Sequence, residues 1–219
     1  LSVDYVNVTF ASNGPDKVAF SNAARTLTAA ACNGAASVFT MELQSGTTPT
    51  NPFATTVVRV TSNSSSYTIY SDDTCSTTVT NGDFTYTTAQ NTKSVYIIDN
   101  KKSITTRTLT GTRQSGDTLT TGTQNYTVNA GAVSKLIITL PGETFTDGTG
   151  NSGTVTNQAS GILFPMQINA TDANFNVNTS YTGDKVLVFT GPGVGTSTPT
   201  VLDKNDAAVN YGSNTTITL

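Results

Sequence analysis

Residues 56–70 read TVVRVTSNSSSYTIY, and this stretch indicates the fold class. Residues 57–60 and 67–70 are short runs of β-branched and aromatic side chains, which suit the pleated surface of a sheet. Between them lies a cluster of asparagine and serine, the composition of a turn. The stretch therefore predicts a strand, a turn and a second strand.

The same succession of strand-like runs and turn clusters continues along the chain. The segment Asn81-Gly82-Asp83 is typical of a tight hairpin turn, because asparagine and glycine tolerate positive φ. The most helix-like segment, residues 22–36, is rich in alanine but is interrupted by threonine, asparagine and glycine. We therefore predict an all-β protein. Further strands are predicted at residues 3–10, 17–20, 39–43, 84–86 and 95–98.

The composition excludes several functional classes. The chain has 219 residues, of which 11% are charged, and it contains no histidine and no tryptophan. Without histidine there can be no Ser-His-Asp or Cys-His catalytic group and no histidine-ligated metal. With a net charge of −3 and few basic residues, the chain lacks the cationic surface that nucleic acids require. No apolar run approaches the length of a membrane span, so none is expected.

The acidic residues form no recognisable catalytic pair. Glu42 and Glu143 are the only glutamates. Asp72 and Asp73 are adjacent, and adjacent side chains on a strand point to opposite faces. Glycoside hydrolysis needs two carboxyl groups flanking one bond. We therefore expect no enzymatic activity.

Three strand sequences recur in the same order in the second half of the chain. The members of each pair share their apolar pattern: residues 16–20 with 134–138, 39–44 with 164–169, and 56–60 with 185–189. Recurrence of three segments in one order predicts two tandem copies of one domain.

The repeat also predicts the domain boundaries. We assign residues 13–130 to a first domain and residues 131–219 to a second, whose last strands are missing because residues 103–128 have no counterpart in it. Residues 1–12 remain as a strand of a preceding or neighbouring domain. In a polymer this strand could complete the open second sandwich of the next subunit. A fragment cut from a longer array is the alternative. The apolar and aromatic residues of this assembly strand are Val3, Tyr5, Val6, Val8 and Phe10.

Cys32 and Cys75 are the only thiols. Their spacing fits no C-x-x-C redox or metal motif. Two free cysteines of a cytosolic protein and a single disulfide are the two interpretations. The extracellular character of the composition favours the disulfide.

The cysteine segments resemble a known class of module. Residues 70–79, YSDDTCSTTV, with Cys32-Asn33-Gly34 upstream, are similar to bacterial Ig-like modules that repeat in tandem in large secreted and cell-surface proteins. Asn129-Ala130-Gly131, followed by Lys135-Leu136, fits the end of the same pattern. Residues 172–177 resemble a turn of related modules in which glycine usually stands where this chain has Phe175. The resemblance implies Ig-like β-sandwiches, a disulfide between Cys32 and Cys75, and an extracellular location.

Three ligand or crosslink hypotheses remain open beside simpler explanations. Every second residue from 172 to 176 has a side-chain oxygen, as in a calcium-binding loop: Asp172, Asn174 and Asn176. Such residues also form turns through their own hydrogen bonds. No other cofactor is expected. Lys17 and Lys135, with Glu42 nearby, are candidates for an isopeptide crosslink, or else simply face solvent. Four tyrosines could stack on sugars or form cross-strand pairs: Tyr67, Tyr70, Tyr86 and Tyr96.

These observations favour an extracellular structural module of a cell-surface stalk, surface layer or filament. Its partners would be other copies or neighbouring domains of the same protein. The alternative is an adhesin or carbohydrate-binding module that recognises a cell-surface or glycan ligand. Its site would lie on loops at one end of a sandwich, at residues 44–55 or 191–200.

Overall fold

The computed structural model describes residues 13–159 and 164–182, together with the backbone of four short strands beyond them. Strands and loops make up these residues and no α-helix occurs among them, which confirms the all-β prediction. The alanine-rich segment forms a strand followed by a 3-10 turn at Ala35–Ser37. The first ten strands are β1 (Lys17–Phe20), β2 (Arg25–Thr28), β3 (Phe39–Ser45), β4 (Thr48–Pro49), β5 (Thr56–Ser62), β6 (Tyr67–Tyr70), β7 (Asp83–Tyr86), β8 (Thr92–Asp99), β9 (Arg107–Ser115) and β10 (Gly122–Asn129).

These ten strands form two sheets packed face to face, which we call the first sandwich. One sheet has the order β1-β3-β8-β6, with β4 added to β3, and the other has the order β2-β10-β9-β5-β7. Neighbouring strands are antiparallel except β2 and β10, which run parallel. At one edge β1 also joins the second sheet, because the Val18 N–H donates to the Thr120 carbonyl at 2.9 Å. The predicted β-sandwich is therefore present.

The core of the first sandwich follows the period-2 pattern of its strands. Phe39, Met41 and Leu43 on β3 are all fully buried, and the residues between them are half-exposed. The Phe39 ring packs edge-on against Tyr126 of the opposite sheet, with ring centroids 6.0 Å apart. Burying a side chain of this size stabilises the fold by about 1.5–3 kcal/mol. The alternation of the sequence thus determines which faces meet in the core.

A buried ion pair lies at one end of this core. Asp99 at the end of β8 and Arg107 at the start of β9 pair directly, and they are 1% and 9% exposed. Tyr126 donates its hydroxyl to Asp99 at 3.0 Å, and Ser64 does so at 2.9 Å. Removing one member of such a pair typically costs about 3–5 kcal/mol, because the other charge is left uncompensated.

The Asn81-Gly82 turn does not connect a hairpin. Both residues have the positive φ that the sequence predicts, 56° and 73°. The strands before and after the turn nevertheless lie in different sheets, because β6 pairs with β8 and β7 pairs with β5. The local turn geometry is therefore confirmed, while the predicted pairing of its flanking strands is wrong.

The chain after the first sandwich forms further strand pairs, and we call residues 131–182 the second unit. Here β11 (Lys135–Thr139) pairs with β14 (Gln167–Thr171), and β12 (Glu143–Thr146) forms a hairpin with β13 (Gly150–Gly153). Later backbone pairs join β15 (Asp184–Leu187) to β18 (Thr215–Thr218) and β16 (Val201–Leu202) to β17 (Ala208–Val209). No helix within the described part of the chain is long and apolar enough to cross a membrane.

The pairing of β11 with β14 matches the internal repeat, but in a different register. Lys17 lies opposite Gln44 in the first sandwich, whereas Lys135 lies opposite Thr171. Thr171 is two residues beyond Asn169, the counterpart of Gln44. A shift of two preserves the face on which each side chain lies, because the strand period is two.

The later strands depart further from the repeat. Residues 215–219 match residues 94–98 in sequence, so the counterpart of β18 is β8, and that of β15 is β5. Strand β15 pairs with β18, although β5 and β8 lie in opposite sheets. The division into two domains remains a prediction. The assembly strand at residues 3–10 and the loop at residues 191–200 lie outside the described residues.

Candidate functional site

The turn after β14 anchors the second unit to the first sandwich. Asp172 and Asn176 are 4% and 0% exposed. Asp172 Oδ2 accepts hydrogen bonds from the Gly131 N–H at 2.9 Å and from Asn176 Nδ2 at 2.8 Å. Its Oδ1 accepts the N–H groups of Asn174 and Asn176 at 2.9 and 3.0 Å. One carboxylate therefore holds both its own turn and the segment that leaves β10.

Asn176 continues this contact into the first sandwich. Its Oδ1 accepts the Lys102 N–H at 2.8 Å, and its Nδ2 also donates to the Asn100 carbonyl at 2.8 Å. Both polar atoms of the amide are thus used, which a buried asparagine requires. We call this set of contacts, between residues 100–102 and residues 172–178, the joint.

An ion pair and three further hydrogen bonds reinforce the joint. Lys102 Nζ lies 3.6 Å from the Asp147 carboxylate and donates to the Val177 carbonyl at 2.9 Å. Asp147 in turn accepts the Val177 N–H at 2.8 Å, and Asn178 Nδ2 donates to the Gly131 carbonyl at 2.9 Å. Contacts from the β12–β13 hairpin and from the turn after β14 therefore converge on one loop of the first sandwich.

Hydrogen bonding keeps Asp172 ionised. Burial by itself raises the pKa of this carboxyl, but the hydrogen bonds from Asn176, Gly131 and Asn174 together outweigh it. The pKa therefore lies below the ordinary aspartate value. Four N–H groups stabilise the negative charge.

The calcium candidates are only partly brought together. Asp172 and Asn176 are in contact, but Asn174 contributes its backbone N–H to the turn. Both oxygens of Asp172 already accept hydrogen bonds. Among the described residues, no group of three or more acidic or cysteine side chains could hold a metal ion. Calcium binding by Asp172, Asn174 and Asn176 stays a prediction.

Phe175 adopts the left-handed backbone conformation, which glycine favours, with φ 64°. Its ring lies 3.8 Å from Lys135 Nζ, a cation–π contact, and it packs on Gly150. Lys135 also donates to the Ala173 carbonyl at 2.7 Å.

Glu42, the acidic candidate for crosslinking near Lys17, accepts a hydrogen bond from Gln44 at 2.8 Å. The isopeptide hypothesis stays a prediction.

The disulfide between Cys32 and Cys75 is confirmed, with an S–S distance of 2.04 Å. Asp72, three residues before Cys75, accepts backbone N–H groups of Thr74, Ser76 and Thr77. The Thr74 hydroxyl, the largest contribution, and these N–H groups hold the pKa of Asp72 far below its usual range. The aspartate of the Tyr-Ser-Asp-x-x-Cys motif thus shapes the loop that presents the cysteine.

The four tyrosines do not form one exposed platform. Tyr86 is fully buried and donates its hydroxyl to the Met41 carbonyl at 3.1 Å. Burial raises the pKa of Tyr86, and the nearby charge of Glu42 adds to this effect. Tyr86 lies on β7, and the other three tyrosines lie in the opposite sheet. There Tyr96 on β8 is 9% exposed, and Tyr67 and Tyr70 on β6 are half-buried. Stacking of a sugar across all four rings is therefore excluded.

A cleft beside the joint, lined mostly by residues with polar side chains, was not predicted from the sequence. It has a volume of about 470 Å³ and is lined by residues 63–65, by residues 101–105 with Arg107, and by Thr146 and Asp147. Its walls come from three loops that are far apart in sequence, so no local motif could reveal it. The adjacent Lys101 and Lys102 were the only local signal.

Comparison with known proteins gives no assignment: no protein-family model and no curated protein matches this sequence.

Proposed function

We propose that this chain is an extracellular structural module that holds neighbouring β units at a fixed spacing and assembles with other copies. The observation that carries this proposal is the joint. Buried Asp172 and Asn176 tie the turn after β14 to the exit of β10 and to the loop after β8. A linker without such contacts would leave the two units free to reorient.

The disulfide and the composition support the same role. A disulfide between Cys32 and Cys75 persists in oxidising compartments, which agrees with an extracellular location. The sequence contains no histidine, and only 11% of its residues are charged. Such a chain offers few groups for acid–base chemistry and suits a spacer.

Assembly would use the strand at residues 3–10. In our proposal, Val3, Tyr5, Val6, Val8 and Phe10 of one copy complete the second sandwich of the next copy. Head-to-tail contacts of this kind produce an open filament. The alternative is a fragment of a longer array, in which the same strand belongs to a preceding domain.

Deletion of residues 1–12 tests the assembly. We expect the full chain to form high-mass species by size-exclusion chromatography and filaments by electron microscopy, and the deleted chain to remain monomeric. Substitution of Asn13 by Ala, just beyond the deleted strand, serves as the control. Assemblies that persist after the deletion would rule out the donor-strand contact.

A binding module is the second candidate, and one exposed aromatic residue favours it. Phe53, on the loop at residues 44–55, is 65% exposed, and its ring lies directly over Gly14. Asp117 holds this loop by accepting the Phe53 N–H at 2.7 Å. A glycan array would be expected to give saturable binding that Phe53→Ala removes and Thr48→Ala, on the same loop, leaves unchanged. Binding that both variants retain would contradict this candidate.

A further inference from the structure

The cleft beside the joint has the dimensions and position of a ligand site. Its volume of about 470 Å³ lies within the range of small-molecule pockets. One wall belongs to the first sandwich, at residues 63–65 and 101–105, and the other to the β12–β13 hairpin, at Thr146 and Asp147. A molecule in this cleft would contact both units at once.

The cleft walls carry hydroxyl groups that form no hydrogen bond with another side chain in the described part of the chain. The side chains of Ser65, Thr105 and Thr146 are exposed and make no hydrogen bond with any other described residue. The Nδ2 group of Asn63 is also free among these residues, since only its Oδ1 is used, as the acceptor of the Thr108 N–H. Free hydroxyl and amide groups around a small cleft match the hydroxyl groups of a polyol.

Among the described residues, one cation of the cleft has no anionic partner. Arg107 pairs with buried Asp99, and Lys102 pairs with Asp147. The Lys101 ammonium has neither an ion pair nor a hydrogen bond within the described part of the chain. An ammonium in this position favours a carboxylate on the ligand.

An apolar side chain lies at the rim of the cleft, beside the hydroxyl groups and the ammonium. Ile104 is 88% exposed and belongs to the lining of the cleft. An exposed isoleucine beside hydroxyl groups can cover the apolar C–H face of a pyranose ring. From these features we infer that the cleft binds a small sugar acid, a monosaccharide or disaccharide unit that carries a carboxylate.

Ligand binding in the cleft would stabilise the contacts of the joint. A ligand that contacts both walls binds the joined arrangement better than a separated one. By linkage it therefore stabilises the arrangement that it prefers. This inference involves the same joint that carries the structural role proposed above, but it is tested separately, because neither the assembly strand nor the disulfide takes part in ligand binding.

Titration of the full chain with D-glucuronate, D-glucose and acetate, at a protein concentration below that at which it assembles, tests the inference, with amide chemical shifts as the readout. We expect glucuronate to shift the amides of Ser65, Lys101 to Thr105 and Thr146, and to bind about tenfold more tightly than glucose, as expected for a hydrogen bond to a charged group. Acetate should bind more weakly than glucuronate, because it lacks the hydroxyl groups.

Two variants locate the site. Lys101→Gln should reduce the affinity for glucuronate about tenfold and leave the affinity for glucose unchanged. Ser65→Phe, a change at an exposed residue, should block the cleft for both sugars. Lys93→Gln is the matched control, because the Lys93 ammonium contacts Gln90 and the Tyr86 ring and does not line the cleft.

Three results would overturn the inference. If none of the three probes changes the chemical shifts of the cleft amides, a sugar-acid site is excluded. Equal affinity for acetate and glucuronate would show that the cleft recognises only the carboxylate and not the sugar hydroxyl groups. Binding that Lys101→Gln leaves unchanged would remove the role of the ammonium. Loss of assembly on deleting residues 1–12 would affect none of these measurements.

Discussion

Two aspartates organise the loops of this chain by the same chemistry in different surroundings. Asp72 accepts three backbone N–H groups in a loop that solvent reaches, and Asp172 accepts three while almost fully buried. The sequence indicates such a turn at Asp172, because aspartate commonly bonds to the backbone that follows it. For Asp72 the sequence instead favours a strand, whereas the structure places it in the loop after β6. The sequence does not show that Asp172 would also reach Gly131, 41 residues away.

Asp172→Asn should destabilise the protein by about 2–3 kcal/mol, because a charged acceptor becomes an amide whose NH₂ group faces N–H donors. Urea denaturation followed by the amide signals of Gly131 and Asn176 would measure the loss. Asp73→Asn is the control, since its exposed carboxylate makes no hydrogen bond with the described residues. Equal stability of the two variants would contradict the structural role of Asp172.

Stability should fall in acid. Hydrogen bonds from Arg59 lower the pKa of Asp83, and the pKa values of Asp72 and Asp172 also lie below the ordinary value. Each group therefore contributes stability above the unfolded pKa of about 4 that is lost as the pH falls through the folded pKa. The urea midpoint should stay level from about pH 7 to pH 5 and decline below about pH 4. Asp172→Asn should flatten the decline, and a midpoint that rises on acidification would be inconsistent with these shifts.

The strands follow the sequence closely, whereas their connections do not. The predicted strands at residues 57–60 and 67–70 are observed as β5 and β6, because apolar alternation is a local property. The Asn81-Gly82 turn has the predicted φ values but leads from one sheet to the other. Turn residues determine local backbone geometry, and the choice of partner strand depends on which apolar faces meet.

Gly82→Ala should be much more damaging than Gly46→Ala. Both glycines have positive φ, which costs an alanine about 1–2 kcal/mol. A Cβ at Gly82 would also lie 2.2 Å from the Val60 carbonyl oxygen, whereas a Cβ at Gly46 would have no neighbour within 4 Å. We expect thermal unfolding to show a further loss of about 1–3 kcal/mol at Gly82. Similar losses for both variants would mean that Gly82 does not contact β5 closely.

The disulfide should stabilise the first sandwich substantially. Cys32 and Cys75 are separated by 43 residues, and closing a loop of this length is worth about 4 kcal/mol in the chain-entropy model. Replacing both cysteines by serine should lower the free energy of unfolding by about this amount, while circular dichroism still reports a folded β protein. An unchanged urea midpoint would show that other contacts already restrain the loop.

Across the whole molecule, the joint is the feature that relates the parts of the chain. Residues 100–102 follow β8, whereas residues 172–178 follow β14, and the buried Asp99–Arg107 pair supports the first of these loops. The internal repeat correctly aligns β11 and β14 with β1 and β3 but does not predict their two-residue shift. The contact between the loops has no counterpart in the repeat pattern, so sequence comparison within the chain could not reveal it.

Lys102→Met should loosen the joint without unfolding either part. The variant loses a partly exposed ion pair and one hydrogen bond, together worth about 1 kcal/mol. Elastase should then cleave residues 130–134 about fivefold faster, because cleavage follows the population of the open form. Lys93→Met is the matched control, and mass spectrometry would identify the cleavage site. Equal cleavage rates for the two variants would show that Lys102 does not hold the joint.

The sequence by itself determined the all-β class, the positions of six strands of the first sandwich and the faces that they bury, whereas the structure decided that Cys32 and Cys75 are joined rather than free. The class, the strand positions and the buried faces depend on side-chain periodicity and on residue type, which are local. Only the tertiary structure decided which strands pair, the register of β11 with β14, the meeting of Asp172 and Asn176 with Gly131 and Lys102, and the cleft beside them. Each of these requires loops distant in sequence to come within hydrogen-bond reach, and that arrangement depends on how the apolar faces pack together.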